Sequence, residues 1–184
     1  MEPLKLIKVP LVRQSTSFTC GVAALQSVLA HHSFFYREDK LSKILDAQPN
    51  QGTKNWEMTK FIKSLGLEAV SRTGLSIEDL IENLDQDNLV IVAIQAWKSD
   101  DITTPWQDIW DHGHYVVTIG YDEHNLYFMD PSTLGNYTFI EKNEFLNRWH
   151  DIDQNHEQVI HLGVIISNPN NIKRNDPEKF LPIK

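Results

Sequence analysis

The chain of 184 residues carries one cysteine, Cys20, so it has no internal disulfide and suits a reducing compartment. Basic residues are outnumbered by acidic ones, 17 against 25, and the formal net charge is −8. This counts against a nucleic-acid partner, which calls for a basic face. No apolar run approaches the roughly 18 residues at which a stretch begins to read as a membrane span. The opening Met1-Glu2-Pro3-Leu4-Lys5 lacks the apolar core of a signal peptide. A cytoplasmic protein without a membrane span is therefore expected, with export by a signal-independent route left open. Internal repeats and low-complexity tracts are absent too. What is present is the composition of a folded domain: 41% hydrophobic and 23% charged residues. The length suits one domain with a sizeable core, over residues 1–167, followed by a polar tail over 168–184.

Hydrophobic spacing gives the order of elements. Residues 5–12 read as a short edge strand interrupted by Pro10. Val22, Leu25, Val28 and Leu29 share one face of a first helix, which follows Cys20-Gly21. Met58, Phe61, Ile62 and Leu65 recur at helical spacing, with Gly66 as the C-terminal cap. Ser76 and Asp79 form a capping box ahead of Ile77, Leu80, Ile81 and Leu84. The second half changes character. Leu89–Ala96 is a buried strand, Tyr115–Gly120 and Leu126–Met129 form a hairpin around Tyr121–Asn125, and Tyr137–Ile140 adds a strand. Glu144–Trp149 reads as a short helix and Val159–Ile166 as a closing strand. Helices first and strands later imply an α+β fold, with helices on one side of a mostly antiparallel sheet.

Cys20 is predicted at the N-terminus of the first helix, where unpaired amides favour negative charge and lower a thiol pKa. By itself a lone cysteine is more often a small buried hydrophobe. A thiolate nucleophile needs a base that holds and returns a proton, and histidine suits that role. His114 opens one predicted strand and Asp130 closes the next. A turn centred at residue 122 pairs them directly, and one centred at 123 makes them diagonal neighbours, with Cβ atoms roughly 4.5–8 Å apart either way. Asp130 can then orient the imidazole, although Asp130-Pro131 can equally be a turn start. Gln14, in the loop leading to the first helix, offers a side-chain amide to a developing oxyanion beside the Cys20 backbone N–H.

Taken together, Gln14 and Cys20-Gly21, then Gly113-His114-Tyr115-Val116-Val117, then Asp130-Pro131-Ser132 resemble the papain-like cysteine peptidases that process bacteriocins, cleaving leader peptides after a double glycine. The chain is more similar to free-standing bacterial members of that group. The resemblance runs over residues 7–166 and includes Gly120-Tyr121-Asp122 and Phe145–Asp151. It implies a papain-like fold, with Gln14, Cys20, His114 and Asp130 as oxyanion donor, nucleophile, base and orienter. It implies a peptide or protein substrate, and no cofactor or metal. Transporter-linked members carry membrane helices and an ATPase that this chain does not show, so the double-glycine substrate does not transfer with the fold.

Competing readings remain at this level. A non-catalytic peptide-binding module would keep the groove without the chemistry, and a deamidase or acyl transferase would use the same residues. Asp111-His112-Gly113-His114 resembles a chelating pair, but no further ligand lies nearby in sequence. His31-His32 suit a helix end. His150 is a rival base. The connection from Trp97 to Trp110 concentrates Trp97, Trp106 and Trp110 with Asp100, Asp101, Asp108 and Asp111 just before Gly113-His114. It is either a substrate-binding lid, with Gly113 at its inner edge, or a loop anchored by its own aromatic rings.

Overall fold

The computed structural model describes residues 2–98 and 103–172. Asp100, Asp101 and residues 173–184 of the expected tail lie outside the described residues. The elements run β1 (Lys5–Leu6), α1 (Cys20–His31), α2 (Glu38–Ile44), α3 (Asn55–Ser64), β2 (Glu68–Arg72), α4 (Ile77–Asp85) and β3 (Leu89–Gln95). They continue with β4 (Gly113–Tyr121), β5 (Asn125–Met129), β6 (Thr138–Glu141), α5 (Lys142–Arg148), β7 (His150–Ile152), β8 (Gln158–Ile160) and β9 (Gly163–Ser167). Seven strands form one sheet in the order β2-β9-β3-β4-β5-β6, with β1 beside β4, and β7 pairs with β8 separately. Each pairing is antiparallel.

The α+β class holds, but the helices lie on both faces of the sheet rather than one. β3 explains why. Its seven residues are all buried. Leu89, Ile91 and Ala93 face a core built with Leu25, Val28 and Leu29 of α1 and Met58 and Ile62 of α3. Val90, Val92 and Ile94 face a second core with Ile77 and Leu80 of α4, Phe145 of α5, and Trp149. A strand buried on both sides reads as a continuous apolar run, as this one does.

Local rules account for several element ends. The Ser76–Asp79 capping box starts α4. Gly66 follows α3 with a positive φ of 87°, a conformation that glycine adopts without steric cost. The closing strand divides into β8 and β9, because His161 takes a positive φ of 53° and turns the chain between them. Residues 168–172 fold back: the Asn168 side chain bonds both backbone groups of Ile172, which packs against the α1 core. Among the described residues no helix is long and apolar enough to cross a membrane.

Candidate active site

Cys20 is the first residue of α1, and Thr19 precedes it as the cap. The amides of Cys20, Gly21 and Val22 have no carbonyl one turn back to bond, so they give the helix start its positive end. Gly21 is required there. A Cβ at this position would lie 2.6 Å from Met58 Cε and 2.7 Å from Thr53 Cβ. Without it, the loop before α3 closes over the helix start.

β4 and β5 carry His114 and Asp130. Val117 pairs with Met129, Gly120 pairs with Tyr127, and a bulge between Thr118 and Gly120 shifts the register. Continued outward, Val116 faces Asp130, which makes His114 and Asp130 diagonal neighbours on one face. The structure brings them together: His114 Nε2 lies 2.7 Å from Asp130 Oδ1. Asp130 also accepts from Ser132 N and Oγ at 2.8 Å and from Thr133 Oγ1 at 2.9 Å. Burial opposes its charge, but the bonds from His114 and Ser132 hold its carboxyl below the ordinary range. Asp130 is therefore an ionised carboxylate locked to its own turn.

His114 is 2% exposed. Burial alone would lower its pKa. The bonds to Asp130 and to Cys20, with the attraction of both groups, outweigh burial and raise it to about 9. With Nε2 committed to Asp130, the buried Nδ1 has no other partner among the described residues and is the nitrogen left for the thiol. This arrangement holds an imidazolium beside the Cys20 sulfur.

Gln14 is tied to the same turn, its backbone N–H donating to Pro131 O at 3.0 Å. Its side-chain Nε2 donates to Thr16 O at 2.8 Å. Among the described residues Nε2 makes no second bond, the buried Oε1 has no partner, and Gln14 is not among the residues lining the cleft that holds Cys20.

The three tryptophans are placed differently from one another. Trp97 is half-exposed and lies against His114, with ring centroids 4.5 Å apart. Trp106 stacks under the Arg148 guanidinium at 4.1 Å, with Lys98 Nζ at 4.8 Å. Trp110 packs on His150 at 4.3 Å. None of Trp97, Trp106 and Trp110 is among the residues lining the cleft that holds Cys20, whereas Gly113 is. His150 itself is buried and bonds Ile109 O through Nε2 at 2.7 Å, so it braces this connection and is not placed as a base.

That cleft measures about 360 Å³ and is lined by Phe18, Cys20, Thr53, His114, Tyr115 and Asp151, among others. One wall is the turn before α3; the other is the β7–β8 hairpin. Gln154 Nε2 joins them by donating to Gln51 O at 3.1 Å and Thr53 O at 3.3 Å. Gly113 gives the floor its shape, since a Cβ there would lie 2.7 Å from Asp151 Oδ2 and 2.8 Å from Asp151 Cγ. Spacing along the sequence pointed to neither Thr53 nor Asp151, because both arrive through long-range packing. Among the described residues, no group of three or more His, Cys, Asp or Glu side chains is gathered as a metal site would require.

No curated protein matches the chain. Among solved structures, a C39-like peptidase from Bacillus anthracis superposes with a TM-score of 0.67 at 21% identity, covering 96% of this chain and all (100%) of that one. A double glycine motif protease from an AMS/PCAT transporter, solved with its leader peptide, gives 0.58 at 18% identity, with 89% and 94% covered. The peptidase domain of Streptococcus ComA, a bifunctional transporter of a quorum-sensing pathway, gives 0.58 at 21% identity, with 89% and 97% covered. At such identities the likeness speaks for the fold. The family model described as Peptidase_C39 like matches residues 6–157. The chain belongs to that family and is a cysteine peptidase with a papain-like α+β fold.

Proposed function

We propose that Cys20, His114, Asp130 and Gln14 hydrolyse a peptide bond through a thioester on Cys20. The Cys20 sulfur attacks the scissile carbonyl carbon. The resulting oxyanion takes hydrogen bonds from the Cys20 backbone N–H and the free amide N–H of Gln14. The C–N bond breaks as His114 Nδ1 delivers a proton to the leaving amine. Nδ1 then removes a proton from water, the hydroxide attacks the thioester, and the carboxylic acid leaves while the sulfur is regenerated. Asp130 keeps Nδ1 aimed at sulfur and stabilises the imidazolium throughout.

The observation that carries this reading is the double engagement of His114. It is buried, bonded to Asp130 at 2.7 Å, and coupled to Cys20 on its other nitrogen. A binding module has no use for a buried imidazolium poised against its sole thiol. The peptide substrate is supported by the leader peptide bound in the transporter protease above. We also read the protein as bacterial and cytoplasmic. Similar folds occur in Bacillus anthracis and Streptococcus proteins, and an unpaired thiol nucleophile persists best where thiols stay reduced.

Labelling with a peptide-like thiol probe, followed by a peptide-library digest, tests the assignment. Wild type should label at Cys20 and cleave, Cys20→Ala should do neither, and His114→Ala should label slowly and not cleave. Labelling without any cleavage by wild type would remove peptide hydrolysis and leave deamidation or acyl transfer for the same thiol.

A further inference from the structure

His114 borders a second cavity, separate from the cleft that holds Cys20. It measures about 160 Å³, and His114 is the one residue the two have in common among the described lining residues. Strand alternation explains its place. His114 and Val116 of β4, Ile94 of β3, Phe128 of β5 with Asp130 just past it, and Ile140 of β6 share one face of the sheet. Ile94 stands directly opposite His114 in the ladder. Ala96 extends the wall, and β6, the last strand of the sheet on that side, forms the outer rim.

The charged groups in this wall are already engaged. Asp130 is bonded to His114, Ser132 and Thr133. Arg148 donates to Gln95 O at 2.9 Å and to Glu144 at 2.9 Å, and its guanidinium lies on the face of Trp106. His114 is held through Nε2, and its Nδ1 serves the thiol. What the cavity offers a ligand is therefore mainly the apolar surface of Ile94, Ala96, Val116, Phe128 and Ile140. An apolar cavity of about 150 Å³ accepts benzene, so this one suits one leucine- or phenylalanine-sized group. A second feature lies beside it. Trp97, next after Ala96, takes a positive φ of 59°, which bulky side chains rarely adopt. Its ring stays half-exposed against His114 rather than buried in a core. Backbone strain of this kind gathers at functional sites.

We propose that this cavity takes an apolar side chain of the substrate from the leaving-group side, at one of the first two residues after the scissile bond. The proposal rests on the peptidase reading for the identity of the substrate chain and names a specificity site for it. The two halves of a cleaved peptide part at His114. The acyl half stays on Cys20, in the cleft floored by Gly113. The amine half receives its proton from the imidazole and so begins its path beside His114. Past that ring lie the Trp97 indole and the apolar cavity, and neither is used by the acyl half. An apolar side chain entering there leaves no group of the cavity without a partner, whereas a charged one would lose water and gain no free counter-charge.

Peptide binding to the Cys20→Ala protein tests this without requiring turnover, with cleavage mapping by wild type alongside. Fluorescent peptides carry Leu, Phe, Ala, Ser or Asp at each scanned position in turn. At one position Leu or Phe should bind about ten- to a hundredfold tighter than Ser or Asp, the scale of burying one such side chain. Wild-type products should place that position one or two residues after the cut. Ala96→Leu, which fills the cavity, should abolish the preference. Ile140→Ala, which enlarges it from the rim, should shift the preference from Leu towards Phe. It keeps the test open if Ala96→Leu fails to fold, which melting curves would reveal. Val70→Ala, exposed on β2 at the opposite edge of the sheet, should leave the preference intact. No binding of any peptide, no apolar preference at any position, or a preference indifferent to both Ala96→Leu and Ile140→Ala overturns the proposal. Cleavage by wild type with no preference after the cut overturns it too, and leaves the peptidase reading standing. A preference that Ala96→Leu abolishes, with no cleavage by wild type, would instead uphold the cavity as a peptide site and reject hydrolysis.

Discussion

Two carboxylates flank the Gly113-His114 end of β4, and the protein treats them in opposite ways. Asp130 lies in a turn whose own amide and hydroxyl groups converge on it, and His114 completes the set. Asp151 comes from the other side, is bonded through one oxygen, and is desolvated by its packing on Gly113. The first is held below the ordinary carboxylate range; the second is raised to about 6. Satisfying a charge from within fixes a geometry, whereas withholding compensation leaves the charge available to something from outside. The same histidine therefore has a carboxylate satisfied by its own turn on one side and a carboxylate bonded through one oxygen on the other.

The sharpest way to break this comparison is to neutralise each carboxylate in turn. Asp130→Asn should lower kcat by about 10³- to 10⁴-fold, the scale seen when an orienting aspartate of a triad becomes an amide. It should also move the alkaline limb of activity to lower pH. In wild type that limb reflects loss of the imidazolium proton from a group raised to about 9, partly by Asp130. Asp151→Asn should leave the limb near wild type. If the two variants share one pH profile and one rate loss, the distinction between them is false.

Gln14 sharpens the Asp130 side. Its backbone is bonded to the Asp130 turn, which ties the loop before α1 to the His114–Asp130 pair. Gln14→Ala should lower kcat by about 10²- to 10³-fold with little change in KM, because the oxyanion exists only in the transition state. A raised KM with unchanged kcat would place the amide in ground-state binding.

The tryptophans divide along the same line. Trp110 braces His150 and Trp106 covers Arg148, both on the Asp151 side; Trp97 alone touches His114. Trp106→Ala and Trp110→Ala should lower Tm by several degrees and slow all substrates alike. Trp97→Ala should slow turnover with a smaller Tm change. Substrate-dependent effects of Trp106 or Trp110 at unchanged Tm would restore the lid reading for the whole connection.

These two sides were not equally legible in the sequence. The His114–Asp130 relation is local, because one hairpin carries both residues and its turn can be located from hydrophobic alternation. The bulge at residues 118–120 changed direct pairing to diagonal neighbourhood without moving either side chain to the other face. The Asp151 side depends on contacts distant in sequence. Gln95 meets Asp151 across 56 residues, and Gln154 meets Gln51 across 103. No periodicity records such meetings. α2 leaves little pattern in the sequence because its Glu38–Ile44 segment buries only Leu41, and β2 because only Ala69 is buried among its five residues. Helices on both faces could have been inferred from β3, whose continuous apolar run is what a strand covered on both sides requires.

The smallest expected effect is thermodynamic and has an unusual sign. A carboxyl raised from 3.8 to about 6 in the folded protein binds its proton more tightly folded than unfolded. Its contribution to stability is therefore complete below pH 3.8 and is lost as the pH rises through about 6, where the buried group must ionise. Asn at this position keeps an oxygen to accept from Gln95 and Ile152, and it carries no charge to bury. Asp151→Asn should thus stabilise the protein above pH 6 by about 1–3 kcal/mol, with the gain shrinking towards zero near pH 4. Urea unfolding of both proteins from pH 4 to pH 8 measures the difference directly. If Asp151→Asn is less stable than wild type across the whole range, the carboxylate is compensated from within after all, and Asp151 belongs to the same class as Asp130.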